Sequence, residues 1–565
     1  MKLRFLAAAG PADARRALAS DLTHNRCGAL VEGPSTASLS VWIDAGTPLL
    51  WNKAGTAIAV GLVFDRSANR ALTSLPDWEG LERACVRDFW GTYVLLTSRS
   101  DGHSVLRDPS GAIPVYYGAA GGLDLYASDA EMLSLAWPEP FRPNLDAVRH
   151  WLRFPFLRTS RTGCAAVSEL LPGLARDVGS GGERIRQAWS PTAFVSRESG
   201  ITDFHQAVSL LGETVRQSVQ RLGEGQANIV LQLSGGLDSS IVAAALSEGG
   251  VDYRAITFST RSADGDERRY AGQVAQRLEI DLSELRETDV DLSVRTSSGP
   301  LQRPLSPLLQ ALRSAQCAAA GPDALLLDGG GGDNVFASIS SAAPAIDAFR
   351  LCGLAEGVSA IRNLAARHGC TVWTAAASAF RRARRRDSLR WAADDSFLAS
   401  SLPQVPDPHP WLESLGAMLP GSADHLRMIA GVHHFLVDPV AGQPCNLHPL
   451  ITQPIVETCL RIRSWLWLEG GRDRAVARAA FRGSLPDAIL DRRGKGSLQS
   501  VFVKGFAALR GELRDDLLSG RLAEQGIIDV PALARYLDRP GQPSDNIYVR
   551  VLEIASAEQW LRSFG

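Results

Sequence analysis

The most chemically loaded stretch of the sequence is Ser234-Gly235-Gly236-Leu237-Asp238-Ser239-Ser240. It follows the apolar run NIVLQL (228–233) and leads into IVAAALSEGG (241–250), so the pattern places it between a buried strand and a helix. Glycines there let the chain turn sharply and let a ligand approach the amides. The helix start offers unpaired N–H groups and the positive end of a dipole to an anion. Leu233, Ser234, Gly235, Gly236, Ser239 and Ser240 are therefore candidate phosphate-binding residues, and Asp238 is a candidate Mg2+ ligand. No G-x-x-x-x-G-K-[ST] occurs, so this is not a Walker-type loop. A second run, Asp328-Gly-Gly-Gly-Gly-Asp333-Asn334-Val335-Phe336, ends the apolar DALLLD (323–328). On its own it reads equally as a plain loop; beside the first motif, ligand binding is the better reading. A third, Arg492-Arg493-Gly494-Lys495-Gly496, follows LPDAIL (485–490). Lysine is scarce, being found only at Lys2, Lys53, Lys495 and Lys504. The residues alone leave Lys495 open between a surface turn and a reactive cation.

The elements that must position these residues change character along the chain. Up to about residue 135, short runs rich in Val, Tyr and Thr are separated by turn residues: TAIAVGLVF (56–64), GTYVLLTS (91–98), HSVLRD (103–108) and PVYYG (114–118). A helix is expected over about 144–154, then a closing strand in LPGLARDV (171–178) and a linker at AWSP (188–191). From Phe204 the period becomes helical, and strands then alternate with helices: NIVLQL, YRAITFS (253–259), DALLLD. Tyr270, Val274 and Leu278 mark the apolar stripe of one such helix. That alternation predicts a parallel, doubly wound sheet, with mostly helical additions after about 340.

Composition narrows the function classes. Hydrophobic residues are 45% and charged residues 21%, so the chain is globular rather than disordered. A net charge of -2 argues against nucleic acid or an anionic membrane as the main partner. No apolar run reaches 18 residues, and the start, MKLRFLAAAG, reads as an opening strand rather than a signal peptide, so a soluble cytoplasmic protein is expected. The eight cysteines form no C-x-x-C pair and read as ordinary buried thiols. His433, His434 and His448 read as buried or capping histidines, without support for a metal site.

S-G-G-x-D-S-S after a strand resembles the pyrophosphate loop of ATP-pyrophosphatases, in particular the asparagine synthetase family. The resemblance implies an ATP-dependent, AMP-forming amide ligase with Mg2+. Asp333 matches the family's second magnesium aspartate. Gly330, Gly331 and Gly332 would bring their backbone to the nucleotide, and Phe258 and Ser259 would border the adenine. Lys495 stands where the family carries a catalytic lysine at the α-phosphate. The N-terminal part, GTYVLLTS…VLRDPSGAIPVYY…LYASDAEML (91–133), is similar to the family's glutaminase-type (Ntn-type) domain. The implied architecture is a glutaminase-like β-rich α+β domain (1–195) followed by a PP-loop, adenine-nucleotide α-hydrolase-like domain (203–565).

Two departures redirect the function. Residue 2 is Lys2 and the nearest cysteine is Cys27, so glutamine hydrolysis is not expected. Gly330 stands where asparagine synthetases carry a Glu thought to handle the proton of ammonia, so the amine should be another one. GGGGDNVF, the PWL of HPWL (409–412), HPLITQPIVE (448–457), GGRDRAVARAAF (470–481) and RRGKG resemble lasso-peptide macrolactam synthetases. Pro449-Leu450-Ile451-Thr452 replaces the P-F-L-D segment of asparagine synthetases. This resemblance implies a ribosomal precursor peptide as substrate, with a leader peptidase and a leader-recognition protein as partners. An asparagine synthetase-like or β-lactam synthetase-like ligase is the alternative, and a decayed, non-catalytic binding protein a further one.

Overall fold

The structure is a computed structural model, and it describes the chain apart from residues 26–29, 197–199, 262–264, 292–298, 385–390, 401, 403–404, 493, 495, 497–498, 540–544 and 565. Cys27 and Lys495 lie outside the described residues.

Two antiparallel sheets make up the N-terminal part. One runs in the order Ser168–Glu169, Tyr116–Ala120, Leu123–Ala127, Phe5–Ala9, Leu39–Asp44, Leu30–Glu32. The other runs Gly182–Gln187, Leu174–Gly179, Gly102–Arg107, Phe89–Arg99, Ala57–Asp65, Leu49–Trp51. Side chains alternate across a strand, and that alternation stacks the layers. Phe5, Ala7 and Ala9 enter one core with Val60, Tyr93 and Val94 of the second sheet. Leu6 and Ala8 face the other way, onto Leu22, Trp42 and Leu133. The start of the chain thus forms the expected strand.

Beyond helix Phe204–Gly223 lies a five-stranded parallel sheet. Its order is Leu282–Arg286, Arg254–Ser259, Ile229–Gln232, Leu325–Leu327, Cys445–Leu447. Both faces are covered, as the near-continuous apolar strands require. Val230, Ile256 and Leu326 pack with Cys317 and Ala320 of helix Pro307–Ala320. Leu231, Ala255 and Leu327 pack on the opposite side, with Val215, Ile241 and Val274 of helices Phe204–Gly223, Leu237–Glu248 and Arg268–Leu278. Strand order grows one way from Ile229–Gln232 and then reverses to Leu325–Leu327. A crevice opens at such a reversal, outside the carboxyl ends of the two strands.

Three features differ from the sequence reading. Strand Gly182–Gln187 was not expected, because it is polar and mostly exposed and shows no apolar alternation. Strand Cys445–Leu447 lies inside the region read as helical; three residues are too few to show a period. Cys352 is exposed and Cys370 half-buried, so not every cysteine is a core thiol. Among the described residues, no helix is long and apolar enough to cross a membrane.

The two parts are joined by polar contacts that range from exposed to buried. Lys2 Nζ donates to the carbonyls of Pro322 (2.6 Å) and Gln443 (3.1 Å). Glu457 accepts from Arg66 at 2.8 and 3.2 Å and from Trp189 Nε1 at 2.8 Å. Tyr116 Oη donates to Asp438 Oδ1 at 2.6 Å. Burial pushes the Asp438 carboxyl up to about 7, and Asp129 and Glu169 add to this against Arg158 and Tyr116. The folded state therefore keeps a proton that the unfolded chain releases near pH 4. Stability from this group is present at low pH and is lost as pH rises through about 7. Asp438→Asn should accordingly gain on the order of 2 kcal/mol over the parent at pH 8, about a third of that at pH 5 and little at pH 4. Melting temperatures at these pH values check this; an equal change at all of them would remove the titration from the account.

Candidate active site at the switch point of the parallel sheet

The loop after Ile229–Gln232 is closed by its own serines. Ser234 Oγ and Ser239 Oγ lie 3.1 Å apart, and the Ser234 amide donates to Ser239 Oγ at 3.2 Å. Ser240 is fully buried and its hydroxyl donates to Gly236 O at 2.7 Å, so it braces the loop instead of facing a ligand. Leu233 is also fully buried, its amide tied to Ile256 O at 2.8 Å. Gly235 has φ +69°, and a Cβ there would lie 2.7 Å from the Ala271 amide, so glycine is required twice over. Helix Leu237–Glu248 then starts on Gly236 with no side-chain cap, leaving its amide end for an anion.

The second glycine loop interlocks with the first. A Cβ on Gly329 would sit 2.4 Å from the Ser239 amide, and one on Gly332 would sit 2.4 Å from Asp238 Cγ. Gly331 is pressed against Ile451 and Val432. These glycines let the two loops touch each other. The contact brings two carboxylates to one point. Arg474 Nη1 donates to both oxygens of Asp238 (3.1 and 3.0 Å) and to Asp333 Oδ1 (2.5 Å). Burial alone would lower the Arg474 pKa, but Asp238, Asp333 and Asp473 together raise it. Asp238 is nearly covered and Asp333 largely open, with side chains 11% and 57% exposed.

A cationic nitrogen thus already occupies the place between the two carboxylates, and their hard oxygen donors suit Mg2+. Arg474→Met would leave those charges facing each other, at a cost of about 1–3 kcal/mol. The variant should melt below the parent in chelator and gain more from millimolar Mg2+ than the parent does. Equal Mg2+ responses in a thermal melt would show that the pair does not share a cation site.

The remaining candidates divide. Phe258 is half-buried at the carboxyl end of the adjacent strand, as a residue beside a bound base would be. Ser259 is buried and its hydroxyl is committed to Glu284 at 2.6 Å. Of the RRGKG segment, Arg492 and Gly496 are held near the first loop: Arg492 and the Gly496 amide both donate to Glu267, and the Arg492 guanidinium lies 3.8 Å over the Tyr270 ring. Lys495 itself is outside the described residues. Gly330 donates its amide to Asp328 Oδ1 at 2.7 Å, where His448 Nδ1 also binds at 2.7 Å. Sequence reasoning missed Arg474 and this Asp328–His448 pair. It also missed a cavity of about 1060 Å³ whose wall includes Asn334, the residue after Asp333. No cluster of three or more His, Cys, Asp or Glu side chains suited to a metal occurs among the described residues.

Fold and site together define an α/β protein with an anion-receptive loop and a carboxylate pair at the switch point of a parallel sheet. The family profile of asparagine synthase matches residues 210–433 and 447–562, and the chain belongs to that family. Its general class is therefore ATP-dependent amide ligase. No curated protein gives a significant match. Among solved structures, the chain is similar to an allosteric regulatory enzyme of purine biosynthesis, at 10% identity over 50% of this chain and 80% of that one, with a TM-score of 0.22. It is also similar to a glutamine phosphoribosylpyrophosphate amidotransferase from B. subtilis complexed with ADP and GMP, at 11% identity over 58% and 81%, with a TM-score of 0.20. Neither superposition is close enough to carry an argument.

Proposed function

We propose that the protein is a lasso-peptide cyclase: it adenylates an Asp or Glu side chain of a ribosomal precursor peptide and closes a macrolactam with the peptide's N-terminal amine. The observation that carries the choice of a peptide is the cavity of about 1060 Å³ beside Asp333. Its walls include Phe156, Trp391, Met428 and Phe435 together with Arg303 and Arg427. That volume exceeds what ammonia or a free amino acid needs and lies at the top of the range for ligand pockets, about 300–1,000 Å³.

In this reading residues 203–565 form a PP-loop synthetase domain, and residues 1–195 a glutaminase-like domain kept for docking. ATP lies across the carboxyl ends of the central strands. Its β,γ-phosphates rest on Ser234, Gly235, Gly236 and Ser239, and its adenine lies beside Phe258. Asp238 and Asp333 would hold Mg2+, which when bound neutralises the triphosphate and steadies the leaving pyrophosphate. The peptide carboxylate attacks the α-phosphorus and pyrophosphate departs. The N-terminal amine then attacks the acyl carbon and AMP leaves, with Lys495 and Arg474 balancing the negative charge. A leader peptidase and a leader-recognition protein would expose that amine.

The test is incubation with ATP, Mg2+, a candidate precursor and its peptidase, read by mass spectrometry for loss of one water. Products should be AMP and pyrophosphate in equal amounts with the ring. Stoichiometric ADP would refute adenylation. Turnover of free aspartate with ammonia, and none of the peptide, would favour the asparagine synthetase-like alternative.

A further inference from the structure

Strands Leu325–Leu327 and Cys445–Leu447 are parallel, with Leu327 opposite Leu447. The next residues out, Asp328 and His448, therefore emerge side by side at the carboxyl edge of the sheet, next to the glycine loop that carries Asp333. His448 Nδ1 lies 2.7 Å from Asp328 Oδ1, and the Gly330 amide fixes the same oxygen at 2.7 Å. The two side chains are 10% and 17% exposed. Gly330 is what admits the imidazole: a Cβ there would lie 2.6 Å from His448 Nδ1. Burial would push the Asp328 carboxyl up, but His448 and the Gly330 amide, helped by Arg313, hold it below the usual carboxylate range. An ionised carboxylate can only accept, so the pairing assigns the neutral ring's proton to Nδ1 and leaves the Nε2 lone pair free. Nε2 makes no hydrogen bond among the described residues and is not one of the buried polar atoms left without a partner, so it keeps some exposure.

We propose that His448, oriented by Asp328, is the general base for amide formation; this rests on the ligase reading above. The neutral amine attacks the acyl-adenylate carbon and the C–N bond forms. The C–O bond to the phosphate breaks, AMP leaves with the electron pair, and the amine proton passes to His448 Nε2. Adenylation, which transfers no such proton, does not use the dyad. Asp328 is the positioning residue.

The experiment separates the two half-reactions. Pyrophosphate exchange into ATP, driven by the precursor peptide, reads adenylation; single-turnover loss of water reads capture. His448→Gln should leave exchange within about twofold and slow capture about 10²–10⁴-fold, the usual span of general-base catalysis. Asp328→Asn should slow capture at least about 10-fold, through the wrong tautomer. An independent readout is the ¹⁵N spectrum of histidine-labelled protein, with His448 assigned by its loss in His448→Gln. The parent should show the Nδ1–H tautomer and Asp328→Asn should not. Equal losses in exchange and capture would make the pair structural and overturn the proposal, as would normal capture in His448→Gln or an Nε2–H tautomer in the parent. Should the peptide drive no exchange while aspartate does, the peptide reading fails and the same variants test capture of ammonia. A parent that captures neither amine overturns the proposal together with the reading, and is told apart from a failed dyad by its own lack of turnover.

Discussion

Asp238→Asn and Asp333→Asn should each slow ring closure by at least about 10²–10³-fold, the scale of losing one preorganised charge at a reacting centre. Both carboxylates meet the same Arg474 nitrogen, so each variant removes half of the negative charge at a shared point. The neutral amide is a poorer ligand for Mg2+ than the carboxylate. Asp238 should be the more damaging position, since it and Arg474 are both nearly covered and little solvent can take the place of the lost carboxylate. Asp333 is largely open, and water can take part of its role. Neither variant should unfold the protein. Asp238 lies in the first turn of its helix, where the favourable dipole contribution is about 0.3–1 kcal/mol. The double variant should lose less than the product of the single losses, because the two act as one unit. Excess Mg2+ should restore Asp333→Asn further than Asp238→Asn. Near-parental turnover of both at limiting Mg2+ would show that the pair holds no metal in the reaction.

Local pattern made the strand, turn and helix around Asp238 legible. A strand, a glycine turn and a helix start are written within about a dozen consecutive residues, so the first loop and Asp238 could be read without a structure. The doubly wound sheet followed from alternating periods. What could not be read is what lies close in space and far apart in sequence. Arg474 reaches Asp238 across 236 positions, and although it lies in the singled-out segment GGRDRAVARAAF, nothing there tells it from the other arginines as the one that meets the two carboxylates. His448 meets Asp328 across 120 positions, and only because a three-residue strand adds itself to the sheet edge. A lone histidine in a sequence carries no mark of such a partner. Gly329 and Gly332 make room for the opposite loop. Sequence shows that a side chain is missing, but not which neighbour takes its place. The large cavity is assembled from segments around Phe156, Leu301, Trp391 and Met428, which share no motif.

Lys495→Met should slow ring closure by about 10²–10³-fold, roughly 3–4 kcal/mol in the barrier. Described residues on either side of it are tied to the support of the first loop. Arg492 and the Gly496 amide both bind Glu267, which sits at the start of helix Arg268–Leu278. The same helix presses on Gly235 through Tyr270 and Ala271, so the segment and the phosphate-type loop share one support. In the proposed role the Lys495 cation answers charge that grows on the α-phosphate as the carboxylate attacks and again as the amine attacks. Its contribution should therefore fall mainly on the transition state. Nucleotide affinity should drop far less than the rate, because the loop amides and the helix start still hold the phosphates. Methionine keeps much of the length and the apolar stem, so the comparison isolates charge. Lys495→Arg should not fully restore the rate, since a planar guanidinium places its charge differently from a compact ammonium. A solvated surface lysine would give the opposite result, with normal turnover in both variants. Single-turnover closure and ATP affinity, measured for parent, Met and Arg forms, decide between them. A rate deficit matched by an equal deficit in affinity would move Lys495 from the reacting centre to the ground-state grip on ATP.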